Sequence, residues 1–223
     1  MNILLIETSN ALCGVAVSVD GRVACELSCT GKKIHSTQIM GLIETALNLS
    51  QTSMDGIDAF SVLDGPGSYT GIRIGVSIVK ALGQVQQKPC ICVDSLEALA
   101  MTVPYFEGVI CPMIDAKADH VFTARFRPGL PPLRITNDCA IQVDDYLHAL
   151  KEETHERCLF IGDVGTYKNR IVSILGPQAV FANSGIYCPS PGSTCLLANY
   201  YLEHGEYANA TEVHPRYLKR PNA

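Results

Sequence analysis

The chain contains no CxxC pair, no HxxxH or HExxH, no apolar run approaching ~20 residues and no low-complexity or linker segment. Each absence excludes a class. Zinc needs paired Cys or His at short spacing, and neither the ten cysteines nor the six histidines supply it, so no metal site is expected. The missing long run excludes a membrane span, and no basic stretch ahead of a short apolar one suggests a secretory signal, so a cytoplasmic protein is expected. Charge is sparse, at 17% of residues. Lys and Arg number 17 against 22 Asp and Glu, a net charge of −5, so no global positive field exists to hold a phosphate backbone. What is abundant is apolar residues, 47% of the chain, with a mean hydropathy of +0.16. That excludes a disordered chain and leaves apolar surface for a partner. Cys13, Cys25, Cys90, Cys92 and Cys111 lie in apolar runs and read as small buried hydrophobes.

At 223 residues the chain forms one large domain or two small ones. Asn2 to Glu7 is an apolar run ending on a carboxylate, the pattern of a strand buried on both faces. Alternating residues on either side of Asp20-Gly21 predict a hairpin with a tight turn. Ser36 offers an N-cap to a helix running to about Ser50, Ile57 to Leu63 reads as a strand, Tyr69 to Gln87 as a helix and Pro89 to Asp94 as a strand. A short helix from Ser95 ends before Pro104. The pattern then restarts. Val109 to Asp115 is again an apolar run ending on an acid, followed by strands at His120 to Phe126 and Leu133 to Ile135, a helix at Asp144 to Glu152, a strand at Cys158 to Ile161 and a helix at Val164 to Leu175. Ser193 caps a last helix to about His204. Two copies of β-β-β-α-β-α predict an α/β protein of two ribonuclease-H-like lobes, the architecture of actin, Hsp70 and sugar-kinase ATPases, with a minimal second lobe. The expected lobes are 1–104 and 105–223, with the helix near 193–204 counted in the second but free to pack back on the first.

Two stretches could carry chemistry. Glu7-Thr8-Ser9 sits at a strand end, where such folds place a carboxylate for Mg²⁺ and small hydroxyls beside a phosphate. Asp64 to Gly75 runs from a strand through a Gly-Pro-Gly turn into a helix, and its backbone N–H groups could cradle an anion. It matches neither the P-loop nor the dinucleotide fingerprint. Glu7, Thr8, Ser9, Gly65 and Gly67 are therefore candidates for a vestigial nucleotide cleft. The alternative is a close-packed turn whose Gly71 and Gly75 admit a neighbouring backbone. No catalytic residue is identified, and His35 reads as a helix-start residue.

The helix at 69–87 carries apolar residues over an arc of about 220°, and the helix at 36–50 over about 180°, wider than one sheet face covers. The pair predicts an apolar face, with Met40, Ile43, Leu47, Ile72, Val76 and Val79 at its centre. Two copies of this chain could bury it isologously as a homodimer.

Glu7-Thr8-Ser9, His35-Ser36, Gly65 to Gly75, Ser95 to Ala100, Ile114 to Lys117, Gly162-Asp163 and Pro215 to Lys219, in this order, resemble the TsaB (YeaZ) family of bacterial tRNA threonylcarbamoyladenosine biosynthesis proteins. Glu7 stands where Asp is usual, and Lys117 where Arg often follows Asp-Ala. The resemblance implies a non-catalytic scaffold subunit for N6-threonylcarbamoylation of the adenosine beside the anticodon. Its implied partners are a catalytic TsaD-like paralogue, met through the same helix pair, and a TsaE-like ATPase, with tRNA contacted only indirectly and no membrane. It implies no cofactor for this chain and ATP and Mg²⁺ for the complex. The alternative is a stand-alone ATPase or phosphotransferase of the actin-like fold, or a glycoprotease-like metalloenzyme.

Overall fold

The structure, a computed structural model, describes residues 1–31, 34–183, 185 and 187–218. The chain divides into two compact units, Met1–Ser95 with Ser190–Tyr217, and Leu96–Pro189.

In the first unit β1 (Ile3–Glu7), β2 (Leu12–Val19), β3 (Arg22–Thr30), β4 (Ala59–Gly65) and β5 (Cys90–Asp94) form a sheet ordered β3-β2-β1-β4-β5. β1, β4 and β5 are parallel, and β2 runs antiparallel between β1 and β3. All five residues of β1 are buried, as a central strand covered on both faces requires. One face carries α1 (Ile34–Leu49) and α2 (Tyr69–Gln86), where Ile39, Ile43, Ala46, Ile72, Val76 and Val79 join Leu4, Ile6, Val15, Val17, Phe60 and Val62 in one core. The other face carries α6 (Pro191–Glu203), which packs on β1, β2 and β3. Its Asn199 amide donates to the buried Ser18 hydroxyl at 2.9 Å.

Two helix starts differ from the sequence reading. α1 begins at Ile34, so Ser36 lies inside the helix rather than at its N-cap. The side chain of His35 and residue Lys219 lie outside the described residues. α6 is capped by Ser190 rather than Ser193: the Ser193 N–H donates to the Ser190 hydroxyl at 3.3 Å. Pro191 fills the first helical position, where a missing N–H costs nothing.

The second unit repeats the topology. β6 (Val109–Asp115), β7 (His120–Thr123), β10 (Cys139–Gln142), β11 (Cys158–Gly162) and β12 (Ala179–Phe181) are ordered β10-β7-β6-β11-β12. The expected strand 120–126 is interrupted. β8 (Phe126–Arg127) continues it against β6, and β9 (Leu133–Arg134) pairs with β8. The predicted third strand at Leu133 is therefore only a first piece, resumed by β10 against β7. At the break Ile135 N–H donates to the Arg125 carbonyl at 2.7 Å, and Arg125 N–H to the Thr136 hydroxyl at 2.9 Å. β10 is half-buried and weakly alternating, which hid it from periodicity.

α4 (Val143–Glu153) and α5 (Lys168–Leu175) share a core with Val109, Cys111, Met113, Val121, Cys158 and Phe160. On the other face α3 (Ser95–Met101) places Leu96, Leu99 and Ala100 against Ile110, Phe126, Leu159 and Ile161. This is why the units part at Ser95 rather than at residue 104, while α6, packed on β1, β2 and β3, takes Ser190–Tyr217 into the first unit.

Candidate functional site: the strand-end cluster of the first unit

β1 delivers Glu7, Thr8 and Ser9 to the end of the sheet where β4 finishes on Gly65 and β5 on Asp94. Glu7 is completely buried. Its Oε1 accepts from the Ser9 N–H and hydroxyl, both at 2.7 Å, and from the Asn10 amide at 2.9 Å. Among the described residues its Oε2 is buried with no hydrogen-bond partner. Burial pushes the carboxyl up to about 7, against the opposing pull of the hydrogen bonds from Ser9 and Asn10. This acid therefore keeps its proton to a higher pH than an ordinary glutamate.

The Gly-Pro-Gly turn lies directly on this strand end. Ser68 N–H donates to the Ser9 carbonyl at 2.6 Å, and the Thr8 hydroxyl to the Gly71 carbonyl at 2.8 Å. A Cβ on Gly67 would stand 2.3 Å from the Ser9 oxygen, and one on Gly71 1.9 Å from the Thr8 oxygen. These glycines are demanded by backbone against backbone. The Ser68 hydroxyl caps α2 by accepting from Gly71 N–H at 3.3 Å. Two of the N–H groups that could have cradled an anion are thus turned to internal partners. The structure does bring Glu7, Thr8, Ser9, Gly65 and Gly67 together, and it supplies a packing reason for the glycines.

Arg216, to which the sequence reading gave no role, closes the cluster. Its backbone N–H donates to the Asp64 carbonyl at 2.8 Å, its guanidinium to the Gly65 carbonyl at 2.9 Å, and it pairs with the Asp94 carboxylate. Gly65, at φ 131°, passes so close that a Cβ there would be 2.5 Å from the Arg216 oxygen. Next to it Tyr217 packs against Tyr69 with tilted rings, centroids 4.8 Å apart, and Arg73 donates to the Tyr217 hydroxyl at 2.8 Å while covering the Tyr69 ring at 4.1 Å. The usable signal was two strand-end acids, Asp64 and Asp94, with no cation near them in sequence.

The second unit has its own strand-end group. Asp115 accepts from Lys117 N–H at 2.9 Å and from its ammonium at 2.5 Å, and Asp115 N–H donates to Asp163 at 3.0 Å. Burial opposes ionisation of Asp115, but the Lys117 contacts outweigh it and hold the carboxyl below its usual range. Asp163 is pushed up by burial. Lys117, Ala118 and Asp119 take φ of 63°, 51° and 59°, three left-handed residues in succession. Among the described residues no group of three or more His, Cys, Asp or Glu is placed to hold a metal ion, and no helix is long and apolar enough to cross a membrane.

The predicted apolar centre needs correction. Ile43, Leu47, Ile72, Val76 and Val79 are all buried in the first unit's own core, between 0% and 9% exposed, and only Met40, at 57%, faces outward. The apolar arc of α2 is nevertheless wider than its core contact. Ile74, Ile78, Ala81 and Val85, at i, i+4, i+7 and i+11, form a strip that is half-buried to exposed, with Val85 at 79%.

Comparisons place this geometry in a lineage. The family model described as TsaD, tRNA N6-adenosine threonylcarbamoyltransferase, matches residues 30–223. The tRNA threonylcarbamoyladenosine biosynthesis protein TsaB of Bacillus subtilis is 32% identical over 229 residues, covering 100% of this chain and 96% of that protein. YeaZ of Pseudomonas aeruginosa superposes with a TM-score of 0.82 at 20% identity, covering 97% of this chain and 99% of the other. The inorganic polyphosphate/ATP-glucomannokinase of Arthrobacter shares the fold at a TM-score of 0.52 and 8% identity, covering 92% of this chain and 99% of the other. With duplicated ribonuclease-H-like sheets, a glycine turn pressed on Glu7-Thr8-Ser9 and end-to-end similarity to a curated relative, the chain belongs to the TsaB family, within the wider family that the TsaD model describes.

Proposed function

We propose that this protein is a non-catalytic subunit of the machinery that makes threonylcarbamoyladenosine in tRNA, acting as a scaffold for a TsaD-like catalytic paralogue. The observation that carries the reading is the full-length relationship to a TsaB protein, 32% identical over 100% of this chain. The strand-end cluster supports it. Oε1 of Glu7 is taken by three donors from the two residues that follow Thr8, which ties this oxygen to the turn. The turn that should cradle phosphate is packed on the strand end instead.

The partner face in this reading is the exposed strip Ile74, Ile78, Ala81 and Val85 on α2, with Met40 on α1, while Ile43 and Val76 hold those helices from beneath. The same strip serves a second copy of the chain when the paralogue is absent. Reaction in a cytoplasmic complex, with ATP and Mg²⁺ used by other subunits, completes the proposal. The test is a reconstituted modification reaction read by nucleoside mass spectrometry. Omitting this chain should abolish threonylcarbamoyladenosine, and Glu7→Gln should restore it to the wild-type level. Loss of product with folded, partner-bound Glu7→Gln would overturn the scaffold reading.

A further inference from the structure

Cys13 and Cys29 face one another across the β2–β3 hairpin, whose register sets Leu12 against Thr30, Cys13 against Cys29 and Val15 against Leu27. Opposed residues of antiparallel strands point to one face with Cβ atoms ~4.5–5.5 Å apart. A Cα separation of about 4.5 or 5.5 Å, for either kind of pair, falls within the ~4.4–6.8 Å span of a disulfide, whose ~3.5–4.5 Å between Cβ atoms requires the two strands to draw together by up to about 1 Å.

Access is unequal. Cys13 is fully buried, whereas Cys29 is partly exposed and lies on β3, an edge strand paired on one side only. Other cysteines lack this combination. Cys111 and Cys158 are both buried and lie on parallel strands two residues out of register. Cys139 is exposed, yet its thiol donates to the Thr123 carbonyl. Cys25 faces Val17.

We infer that Cys13 and Cys29 form a reactive dithiol, a modification site that low-molecular-weight disulfides oxidise to a cross-strand bond and that thiols reverse. The order of steps follows from access. The Cys29 thiolate attacks one sulfur of the small disulfide, forming a mixed disulfide and releasing one small thiol. The Cys13 sulfur, held beside it, then attacks the Cys29 sulfur, loses its proton to the leaving thiolate and releases the second small thiol. Two protein thiols are oxidised and one disulfide is reduced, so no further oxidant is needed. Burial pushes the Cys13 thiol up to about 12, which makes it the resolving rather than the attacking sulfur. The bond closes the hairpin at the end opposite the Asp20–Gly21 turn and ties edge strand β3 to β2.

The test is to incubate the full chain with oxidised glutathione, alkylate it in denaturant and map the peptides. Two of the ten thiols should be lost, with one Cys13–Cys29 cross-link that dithiothreitol reverses, and β3 amides should exchange more slowly in the oxidised protein. Cys13→Ser should trap glutathione on Cys29, and Cys29→Ser should leave Cys13 unmodified. Cys13→Ala, which buries no hydroxyl, repeats the trapping should the serine variant unfold. A cross-link between other cysteines, one that persists in Cys29→Ser, a folded wild type that keeps all ten thiols, or an unmodified Cys29 in either folded Cys13 variant would overturn the inference.

Discussion

Replacing Glu7 by Gln tests the strand-end chemistry without touching the backbone. The carboxyl is fully buried and titrates at about 7 in the fold, against 4.5 for the ordinary group. The folded state therefore keeps a proton that the unfolded chain gives up at lower pH. Below pH 4.5 both states are protonated, and the stability contributed by the neutral, buried acid is fully present. It falls as pH rises through the interval and is lost above about 7. The interval of about 2.5 pH, at ~1.36 kcal/mol for each, amounts to about 3 kcal/mol. Gln keeps an Oε1 that can accept from Ser9 N–H, the Ser9 hydroxyl and the Asn10 amide, but it does not titrate. Its amide nitrogen replaces the partnerless Oε2 and carries a desolvation cost of its own, independent of pH. The absolute offset between the two proteins is therefore left free, and the pH dependence of that offset is the prediction. Urea unfolding of both proteins across the range, with the free energies subtracted, cancels every other titrating group. The difference should tilt by about 3 kcal/mol in favour of Gln as pH rises, and be flat on either side. A difference that stays constant with pH would show that Glu7 ionises as freely in the fold as outside it.

Four further outcomes follow from packing, surface exposure and pairing. Gly71→Ala should destabilise the first unit by more than ~2 kcal/mol in chemical denaturation, because its Cβ would fall 1.9 Å from the Thr8 oxygen and the backbone must move. Ile43→Asp and Val76→Asp, at 2% and 3% exposure, should abolish cooperative folding by circular dichroism. Val85→Asp, at 79% exposure, should leave the melting curve unchanged within about 0.5 kcal/mol while weakening capture of the TsaD-like partner at least about tenfold. Arg216→Ala should cost about 2 kcal/mol of stability, since it leaves the buried Asp94 carboxylate without its cation, and Asp94→Asn in the same background should recover part of that loss in a double-mutant cycle.

The sequence by itself determined the repeated architecture. Buried parallel strands such as Ile3–Glu7 and Val109–Asp115 announce themselves as unbroken apolar runs, because a strand covered on both faces has no place for alternation. The hairpin turn at Asp20-Gly21 depends on local conformational preferences, so it too is written locally, whereas the caps read at Ser36 and Ser193 fell elsewhere. What tertiary structure decided is whatever depends on distant neighbours. The half-buried β10 has little pattern of its own and exists because β7 offers it a ladder. Periodicity gave the width of the apolar arc on α2 but not which part of it the sheet would cover, so Val76 and Val79 went inside while Val85 stayed out. Glu7 was visible as an acid at a strand end. Its raised pKa arises from complete desolvation beneath a glycine turn some sixty positions away, and the Arg216 clamp joins residues separated by more than a hundred. Burial and long-range pairing are properties of the assembled fold, and no local pattern of residues records them.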